Sequence, residues 1–181
     1  DAIKAITSRC RNCSFLRNVP NIATQLKEYN DFNPQFAGNV VSWDQLTRHS
    51  EKANKEFKFW LIVDHLTSFA KLTPVEGRSN TENNRKALIR AIGSIKSKRE
   101  GNTKVITDGA TINMALINDF ELKANNIEVV ITDQLTRSKN NIAVLDSRSQ
   151  KLTKFLVLAL NQWTDPWQIA EKVNFDHNKL R

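Results

Sequence analysis

Three aspartates combine the residue type and the positions that metal-dependent chemistry on phosphodiesters needs. Asp44 and Asp108 each end a predicted β-strand, and Asp146 lies on a long predicted helix. Carboxylate oxygens are the hard ligands that Mg²⁺ prefers, and two such ions roughly 3.5–4 Å apart can activate an attacking oxygen and stabilise a leaving one. Strand ends and a helix can meet at one edge of a sheet, so the three carboxylates form a candidate metal site.

The alternative for each aspartate is an ordinary surface residue, because the chain holds 19 acidic residues in all. Asp64 also ends an apolar strand and competes for the site, but we interpret it as a strand-end turn residue. Asp133 ends the fifth predicted strand and receives the same interpretation. The lone histidines are not paired at metal-ligand spacing, and we expect surface or packing roles for His49, His65 and His177.

Hydrophobic periodicity predicts the elements that must position these aspartates. Strands are predicted at 40–44, 57–64, 69–75, 105–108 and 128–131. Helices are predicted at 80–98, 111–123, 142–163 and 167–177. Three antiparallel strands followed by alternating helices and strands predict a mixed five-stranded sheet flanked by helices, which is the ribonuclease H-like α/β architecture.

Three elements have distinctive patterns. The strand at 57–64 is nearly all apolar, which is expected of a strand that is buried on both faces. The polar stretches at 47–56 and 132–141 are predicted to be a turn and an irregular loop. The helix at 111–123 is predicted to turn inward an apolar stripe that consists of Ile112, Ala115, Leu116 and Phe120.

The charge balance favours a polyanionic partner. The chain carries 27 lysines and arginines against 19 acids, which gives a formal net charge of +8 and a pI of 9.7. Nucleic acid is the commonest partner of such a surface, and the alternative is a basic surface that only keeps the protein soluble. No apolar run approaches the roughly 18 residues of a membrane span, and the first residues lack the apolar centre of a signal peptide.

The two cysteines, Cys10 and Cys13, have the Cys-x-x-Cys spacing of half a tetrahedral zinc site. Without a secretory signal, a structural disulfide is not expected. Two further Cys or His ligands are needed, and a pair of free thiols is the alternative. The chain begins at Asp1 without a methionine, so we expect a piece of a longer protein whose remaining zinc ligands lie upstream.

Several motifs, in order along nearly the whole chain, resemble the integrases of long-terminal-repeat retrotransposons and retroviruses. Cys10 and Cys13 look like the cysteine pair of the family's His-His-Cys-Cys zinc domain. Val41-Ser42-Trp43-Asp44 looks like the strand with the first catalytic aspartate. The segment 61–70 is similar to the second strand and its turn, where the family has a non-catalytic aspartate, a serine and an aromatic residue. The segment 105–109 looks like the second catalytic aspartate in its setting.

The end of the chain continues the resemblance, with some departures. Phe175-Asp176-His177-Asn178 is similar to the Phe-x-x-Asn motif that ends the core. Asp44 and Asp108 enclose 63 residues, and Asp108 and Asp146 enclose 37, both close to the family's spacing. However, Asp146 stands where the family usually has a glutamate and is one methylene shorter. Asn141 replaces the usual glycine, and the preceding loop lacks the common proline.

The resemblance implies a DNA integrase, a polynucleotidyl transferase that trims the 3′ ends of element DNA and joins them to target DNA. It implies that Asp44, Asp108 and Asp146 hold two Mg²⁺ or Mn²⁺ ions. It also implies that Cys10 and Cys13 help to bind a structural Zn²⁺ in the longer protein.

The resemblance also implies a domain organisation and partners. Residues 1–20 would be the end of a zinc-binding domain, 21–39 a linker and 40–181 the catalytic core. The expected partners are double-stranded DNA and further copies of the chain, without a membrane. The expected location is the nucleus, or a virus-like particle or the cytoplasm before integration.

Basic residues near the site in sequence are candidates for contacts with DNA phosphates, with a solvated basic face as the alternative. These residues are Arg137, Lys139, Arg148 and Lys151. Two other functions stay open: an inactive, retroelement-derived DNA-binding or assembly protein, and a ribonuclease H-type nuclease. Metal-dependent joining of a 3′ end to a second duplex separates an integrase from both.

Overall fold

The computed structural model describes residues 34–97, 101–131 and 139–179, with the backbone alone described for 139–149. The predicted zinc segment with Cys10 and Cys13 lies outside the described residues, as do most of the predicted linker and Asp133. Within the described ranges, strands and helices follow one another in the predicted order, except that two short helices replace the second predicted helix.

Five strands form one mixed sheet in the order β3-β2-β1-β4-β5. They are β1 (Val40–Ser50), β2 (Lys55–Asp64), β3 (Ala70–Pro74), β4 (Thr103–Thr107) and β5 (Ile127–Ile131). The first three are paired antiparallel, whereas β4 runs parallel to both β1 and β5. The sheet confirms the predicted ribonuclease H-like architecture, with β3 and β5 at its edges.

Helices cover both faces of the sheet. They are α1 (Thr81–Gly93), α2 (Thr111–Met114), α3 (Phe120–Ala124), α4 (Lys139–Leu160) and α5 (Pro166–Lys179). On one face, α4 and α5 enclose a core that includes Leu61 and Leu156. On the other face, α1, α2 and α3 lie over a second core that includes Trp60 and Leu88. Successive side chains of β2 enter the two cores alternately, which explains its almost continuous apolar sequence.

Strand β1 is longer than predicted, so Asp44 lies in the middle of a strand and not at its end. We predict a turn over 47–56, but only 51–54 form it, because β1 continues to Ser50 and β2 begins at Lys55. Polar composition favours a turn there. The strand persists because every residue from Thr47 to Ser50 is paired with β2, and Leu46 and Ser50 are buried beneath α4.

The prediction of one helix over 111–123 is wrong. The first helix ends at Met114, and Asp119 caps a new one by accepting a hydrogen bond from the Leu122 N–H at 3.1 Å. The break resets the helical phase, so Leu122 turns inward. Phe120, predicted to face the core, is 82% exposed.

Two other helix ends differ from the predictions. The first helix, α1, begins at Thr81 after the cap residue Asn80, whose side chain accepts from the Asn83 N–H. It ends at Gly93 and not near residue 98. The long helix α4 begins at Lys139, inside the segment predicted as a loop. Pro166 opens α5 as predicted. Within the described ranges, no helix combines the length and the apolar character that crossing a bilayer needs.

Two glycines test how closely the segment before β1 packs against Lys96: Gly38 lies in that contact, and Gly93 is the control. Gly38 has a φ of +82°, and a Cβ atom there would lie 2.8 Å from the Cα of Lys96. We expect Gly38→Ala to lower the free energy of unfolding by at least about 1–2 kcal/mol, from left-handed backbone strain alone. Gly93 has open space around it, so Gly93→Ala should raise the stability by about 0.4–1 kcal/mol. Urea unfolding of both variants measures the contrast, and equal stabilities would contradict this packing.

Candidate active site

Asp44 and Asp108 occupy neighbouring positions of β1 and β4. The parallel register pairs Ser42 with Ile106, and continuing it by two residues puts Asp44 beside Asp108, directly after the end of β4. Neighbouring strands lie about 4.8 Å apart, so the backbones at these two positions are adjacent, although 63 residues separate them in sequence. Both side chains are half-buried, which leaves each carboxylate in partial contact with solvent.

Asp44 projects from the face of β1 that α4 covers. Side chains alternate along a strand, and Leu46, two residues further on, is buried in the core beneath α4 and α5. The Oδ1 atom of Asp44 accepts a hydrogen bond from the Gln45 N–H at 2.7 Å. On the same face, Arg48 donates from Nη2 to the Thr153 Oγ1 of α4 at 3.2 Å. A carboxylate and a guanidinium therefore share this face of the strand.

Asp108 is held by the turn that follows β4 and by a buried amide. Its Oδ1 accepts from the Ala110 N–H at 3.2 Å and from Asn113 Nδ2 at 2.7 Å. The Oδ1 of Asn113 accepts from Asn84 Nδ2 at 3.2 Å, and the Oδ1 of Asn84 accepts from Trp43 Nε1 at 2.8 Å. Side chains from α2, α1 and β1 thus contribute to the orientation of this carboxylate.

The sequence analysis missed both asparagines. Asn84 stands four residues before Leu88 and eight before Ile92, so it lies on the stripe that α1 buries. A polar residue on an apolar stripe is a usable signal, because a buried amide needs hydrogen-bond partners. Asn113 has no comparable signal, since α2 is only 4 residues long and too short to show a stripe.

Asp146 lies on α4, which runs along β1 in the same direction as the strand. Thr153 of α4 contacts Arg48 of β1, and a hydrogen bond of 3.2 Å joins the last residues of the two elements. Asp146 precedes Thr153 by two helical turns, roughly 10 Å, on the same stripe. Asp44 precedes Arg48 by four residues, roughly 13 Å along the strand. The backbone of α4 therefore carries Asp146 towards Asp44.

The donor set suits a hard divalent cation. Asp44 and Asp108 offer carboxylate oxygens, which Mg²⁺ binds together with water and substrate phosphates. Among the side chains that the structure describes, no three His, Cys, Asp or Glu residues are grouped to hold a metal ion. The Asp146 side chain is not among those described. Asp44 and Asp108 are thus the two of the three predicted ligands whose side chains the structure describes.

One of the four basic residues predicted to contact DNA has a described side chain. Lys151 is half-buried on α4. Lys139 and Arg148 lie on the same helix, but only their backbone is described. Arg137 lies outside the described residues. Arg48 is a further cation on the same face of β1 as Asp44, four residues along the strand, in a stretch that the sequence predicted to be a turn.

Asp64 is a strand-end turn residue, as predicted. It ends β2, has 0% exposure, and accepts hydrogen bonds from the Gly38 N–H at 2.8 Å and the Thr67 N–H at 2.7 Å. The Thr67 hydroxyl also donates to it. The carboxylate therefore joins the segment before β1 to the turn between β2 and β3.

His65 and Ser42 form a pair that could be mistaken for part of a nucleophilic site. Ser42 Oγ lies 2.7 Å from His65 Nε2. Burial lowers the pKa of His65 below its ordinary value of 6.5, and the adjacent charge of Asp64 offsets part of this effect. Ser42 has 0% exposure, so its hydroxyl does not reach a substrate. His65 therefore has a packing role, as predicted.

Solved structures with the same fold include retroviral integrase cores. The catalytic core domain of BIV integrase is 11% identical, with a TM-score of 0.61, and the match covers 80% of this chain and 86% of that chain. The HTLV-2 integrase catalytic core domain in complex with magnesium, in a trimeric form, is 10% identical, with a TM-score of 0.57 and coverages of 82% and 88%.

A third similar structure is an intasome of simian T-cell lymphotropic virus in complex with PP2A regulatory subunit B56 gamma. Its matching chain is 10% identical, with a TM-score of 0.58, and the match covers 76% of this chain but 48% of that chain. This chain therefore spans about half the length of the intasome chain. No protein-family model and no curated protein matches the sequence. At these identities the shared property is the fold, which is that of a retroviral integrase catalytic core.

Replacing Asp64 tests its role in the fold. Asp64→Ala leaves the buried Gly38 N–H without its acceptor and removes the bonds to the exposed Thr67, so the free energy of unfolding should fall by on the order of 2 kcal/mol. Glu128→Gln, at an exposed acid of β5, is the control and should change it by less than about 0.5 kcal/mol. Chemical denaturation measures both, and an Asp64→Ala protein as stable as the control would contradict the assigned role.

His65 should make stability depend on pH. Its pKa is lowered in the folded state, so between that pKa and 6.5 the unfolded chain binds more protons and the free energy of unfolding falls as the pH falls. Above pH 6.5 this contribution is complete. His65→Gln keeps a polar group near Ser42 but does not titrate, so its stability should fall less between pH 7.5 and pH 5.5. The other two histidines are present in both proteins and cancel. Parallel stability curves would contradict the prediction.

Proposed function

We propose that this chain is the catalytic core of a DNA integrase, a metal-dependent polynucleotidyl transferase. It would process the 3′ ends of element DNA and join them to target DNA. One observation supports the proposal above all: β1, which carries Asp44, pairs in parallel with β4, which Asp108 directly follows, within a fold shared with retroviral integrase cores. The sequence motifs and their spacing support the same assignment independently of the coordinates.

In this proposal Asp44, Asp108 and Asp146 hold two Mg²⁺ or Mn²⁺ ions. The magnesium complex of the HTLV-2 core supports the choice of metal. When bound, the ions supply Lewis-acid stabilisation of the charge that develops on the phosphodiester oxygens. The chain itself contributes fixed carboxylates: Asp44 is tied to the backbone of β1, and Asp108 is tied to Ala110 and Asn113. Such prior orientation limits the reorganisation that would otherwise slow the reaction.

The third proposed ligand, Asp146, requires a short distance between α4 and β1. Aspartate is one methylene shorter than the family's usual glutamate, so its carboxylate reaches the other two only if the helix lies close to β1. The direct hydrogen bond between Arg48 and Thr153 shows that the side chains of the two elements touch two turns further along. This close approach supports a role for Asp146 despite its shorter side chain.

Positive charge provides the affinity for DNA in this proposal. The net charge of +8 favours binding to phosphates, and Lys151 lies on α4, the helix that also carries Asp146. We propose that Arg137, Lys139, Arg148 and Lys151 contact the DNA backbone. Arg48 is already engaged by Thr153 and Thr47, so it joins β1 to α4 and is not among the proposed DNA contacts.

The remaining partners follow the same proposal. Cys10 and Cys13 would contribute to a structural Zn²⁺ site in a segment 1–20, joined by a linker at 21–39 to the core at 40–181. The chain would work as a homo-oligomer, which the dimeric and trimeric forms of the HTLV-2 core support. It would act in the nucleus, after a stage in a virus-like particle or the cytoplasm.

The proposal predicts metal-dependent strand joining that requires Asp108. With labelled duplex ends, a supercoiled plasmid and Mg²⁺ or Mn²⁺, the wild-type chain should form joined product. Asp108→Asn should lower the yield roughly 100-fold or more, because metal stabilisation is worth several kcal/mol and each 1.4 kcal/mol is a factor of ten. Asp146→Asn should have a comparable effect.

Two controls make the outcomes distinct. Asp176→Asn removes an acid of α5 that pairs with Lys172 and should leave joining unchanged. Salt-sensitive DNA binding, measured in parallel, should be the same in all four proteins. Binding without any joining would favour the inactive DNA-binding alternative, and cleavage of RNA–DNA hybrids without joining would favour the ribonuclease H-type nuclease.

A further inference from the structure

A chain of four side chains connects the neighbourhood of Asp44 to Asp108 through the interior of the protein. Trp43 Nε1 donates to Asn84 Oδ1 at 2.8 Å, Asn84 Nδ2 donates to Asn113 Oδ1 at 3.2 Å, and Asn113 Nδ2 donates to Asp108 Oδ1 at 2.7 Å. Trp43, Asn84 and Asn113 are all buried. The chain runs from β1 through α1 and α2 to the end of β4.

The direction of every link is fixed by the two ends. An indole N–H can only donate, and a carboxylate can only accept. Trp43 therefore requires the oxygen of Asn84, which turns the Asn84 amide nitrogen towards Asn113. Asn113 must then offer its oxygen to Asn84 and its nitrogen to Asp108. No other assignment of the two amides satisfies all three hydrogen bonds, so the chain delivers a donor to Asp108 and to no other acid.

Trp43 is itself held in place. Its ring stacks on Trp60 of β2, with centroids 5.2 Å apart and planes 14° from parallel. Asn84 lies on the same stripe of α1 as Leu88 and Ile92, both of which are buried in that core. A buried amide costs free energy unless it is fully hydrogen-bonded, and an apolar residue would fill the stripe without that cost. The asparagines therefore need an explanation beyond packing.

We propose that Asn113, Asn84 and Trp43 are positioning residues that fix the carboxylate of Asp108 for metal binding. This inference rests on the proposed function, because it assigns the metal site to Asp108. The hydrogen bonds from Asn113 and from the Ala110 N–H both end on Oδ1. Because two hydrogen bonds hold Oδ1, the carboxylate group has a single orientation about its Cβ–Cγ bond, and Oδ2 points in a constant direction.

The chain also connects the two metal-binding strands. Trp43 directly precedes Asp44 in β1, and Asp108 directly follows β4. The parallel pairing between these strands consists of three residue pairs, and it ends two residues before Asp44. The buried chain continues the connection beyond the last pair, on the α1 side of the sheet, and so holds the two acids at one separation.

The test is metal affinity in the folded protein. Mn²⁺ binding is titrated by the electron paramagnetic resonance signal of the free ion, in wild type, Asn113→Ala and Trp43→Phe. Loss of a residue that orients a ligand lowers metal affinity by about 10–100-fold, so Asn113→Ala should weaken Mn²⁺ binding about 10-fold. Trp43→Phe keeps an aromatic ring but removes the first donor, and it should weaken binding in the same direction.

Asn118→Ala is the matched control, because Asn118 is an exposed asparagine between α2 and α3 that bonds only to Lys123 among the described residues. Its Mn²⁺ affinity should equal that of wild type. Side-chain amide and indole N–H signals in ¹⁵N-labelled, metal-free protein provide a second measurement. Asp108→Ala should shift the amide signals of Asn113 and Asn84, while the other asparagine signals stay in place.

The outcomes separate this proposal from the proposed function. Wild-type Mn²⁺ binding with unchanged affinity in Asn113→Ala would overturn the positioning role and leave the integrase proposal intact. If the side-chain amide signals of Asn113 and Asn84 do not shift in Asp108→Ala, the positioning role is also overturned. A wild-type protein that binds no Mn²⁺ would overturn both. If Asn113→Ala does not fold, as its amide spectrum would show, the Trp43→Phe titration decides the question.

Discussion

The site depends on the parallel pairing of β1 with β4. This pairing is the contact that brings Asp44 and Asp108 together, since their strands are otherwise separated by two further strands and a helix along the chain. The paired segment is short, but flanking contacts extend it. Asn39 Nδ2 donates to the Asn102 carbonyl at 2.7 Å, and the Thr103 hydroxyl donates to the Gly38 carbonyl at 2.8 Å. These contacts extend the pairing on its amino-terminal side, before Val40 and Lys104.

Burial of β2 gives this pairing its rigidity. Because Trp60 and Ile62 enter one core while Phe59 and Leu61 enter the other, the centre of the sheet is covered on both faces. From Val41 to Ser50, every residue of β1 is paired with this buried strand. An acid on β1 is therefore carried by one of the least mobile parts of the fold, and its carboxylate need not be ordered when a ligand binds.

The two faces of the sheet contribute differently to the site. On one face, α4 lies along the end of β1, where Thr153 and Leu160 bond to Arg48 and Ser50. On the other face, a line of buried polar groups reaches Asp108 through an otherwise apolar core. The whole chain has a net charge of +8, which favours a polyanionic partner.

The sequence by itself determined the class of fold, since strands and helices in a fixed order, with an apolar β2, leave few arrangements of the sheet. It also determined that Asp44 and Asp108 are candidates, through their place after β-branched runs. Only the tertiary structure decided the length of β1, because the pairing of Thr47–Ser50 with β2 outweighs their polar composition. It likewise decided the outward turn of Phe120 and the line from Trp43 to Asp108. These features depend on contacts between residues far apart in the chain, which local periodicity does not encode.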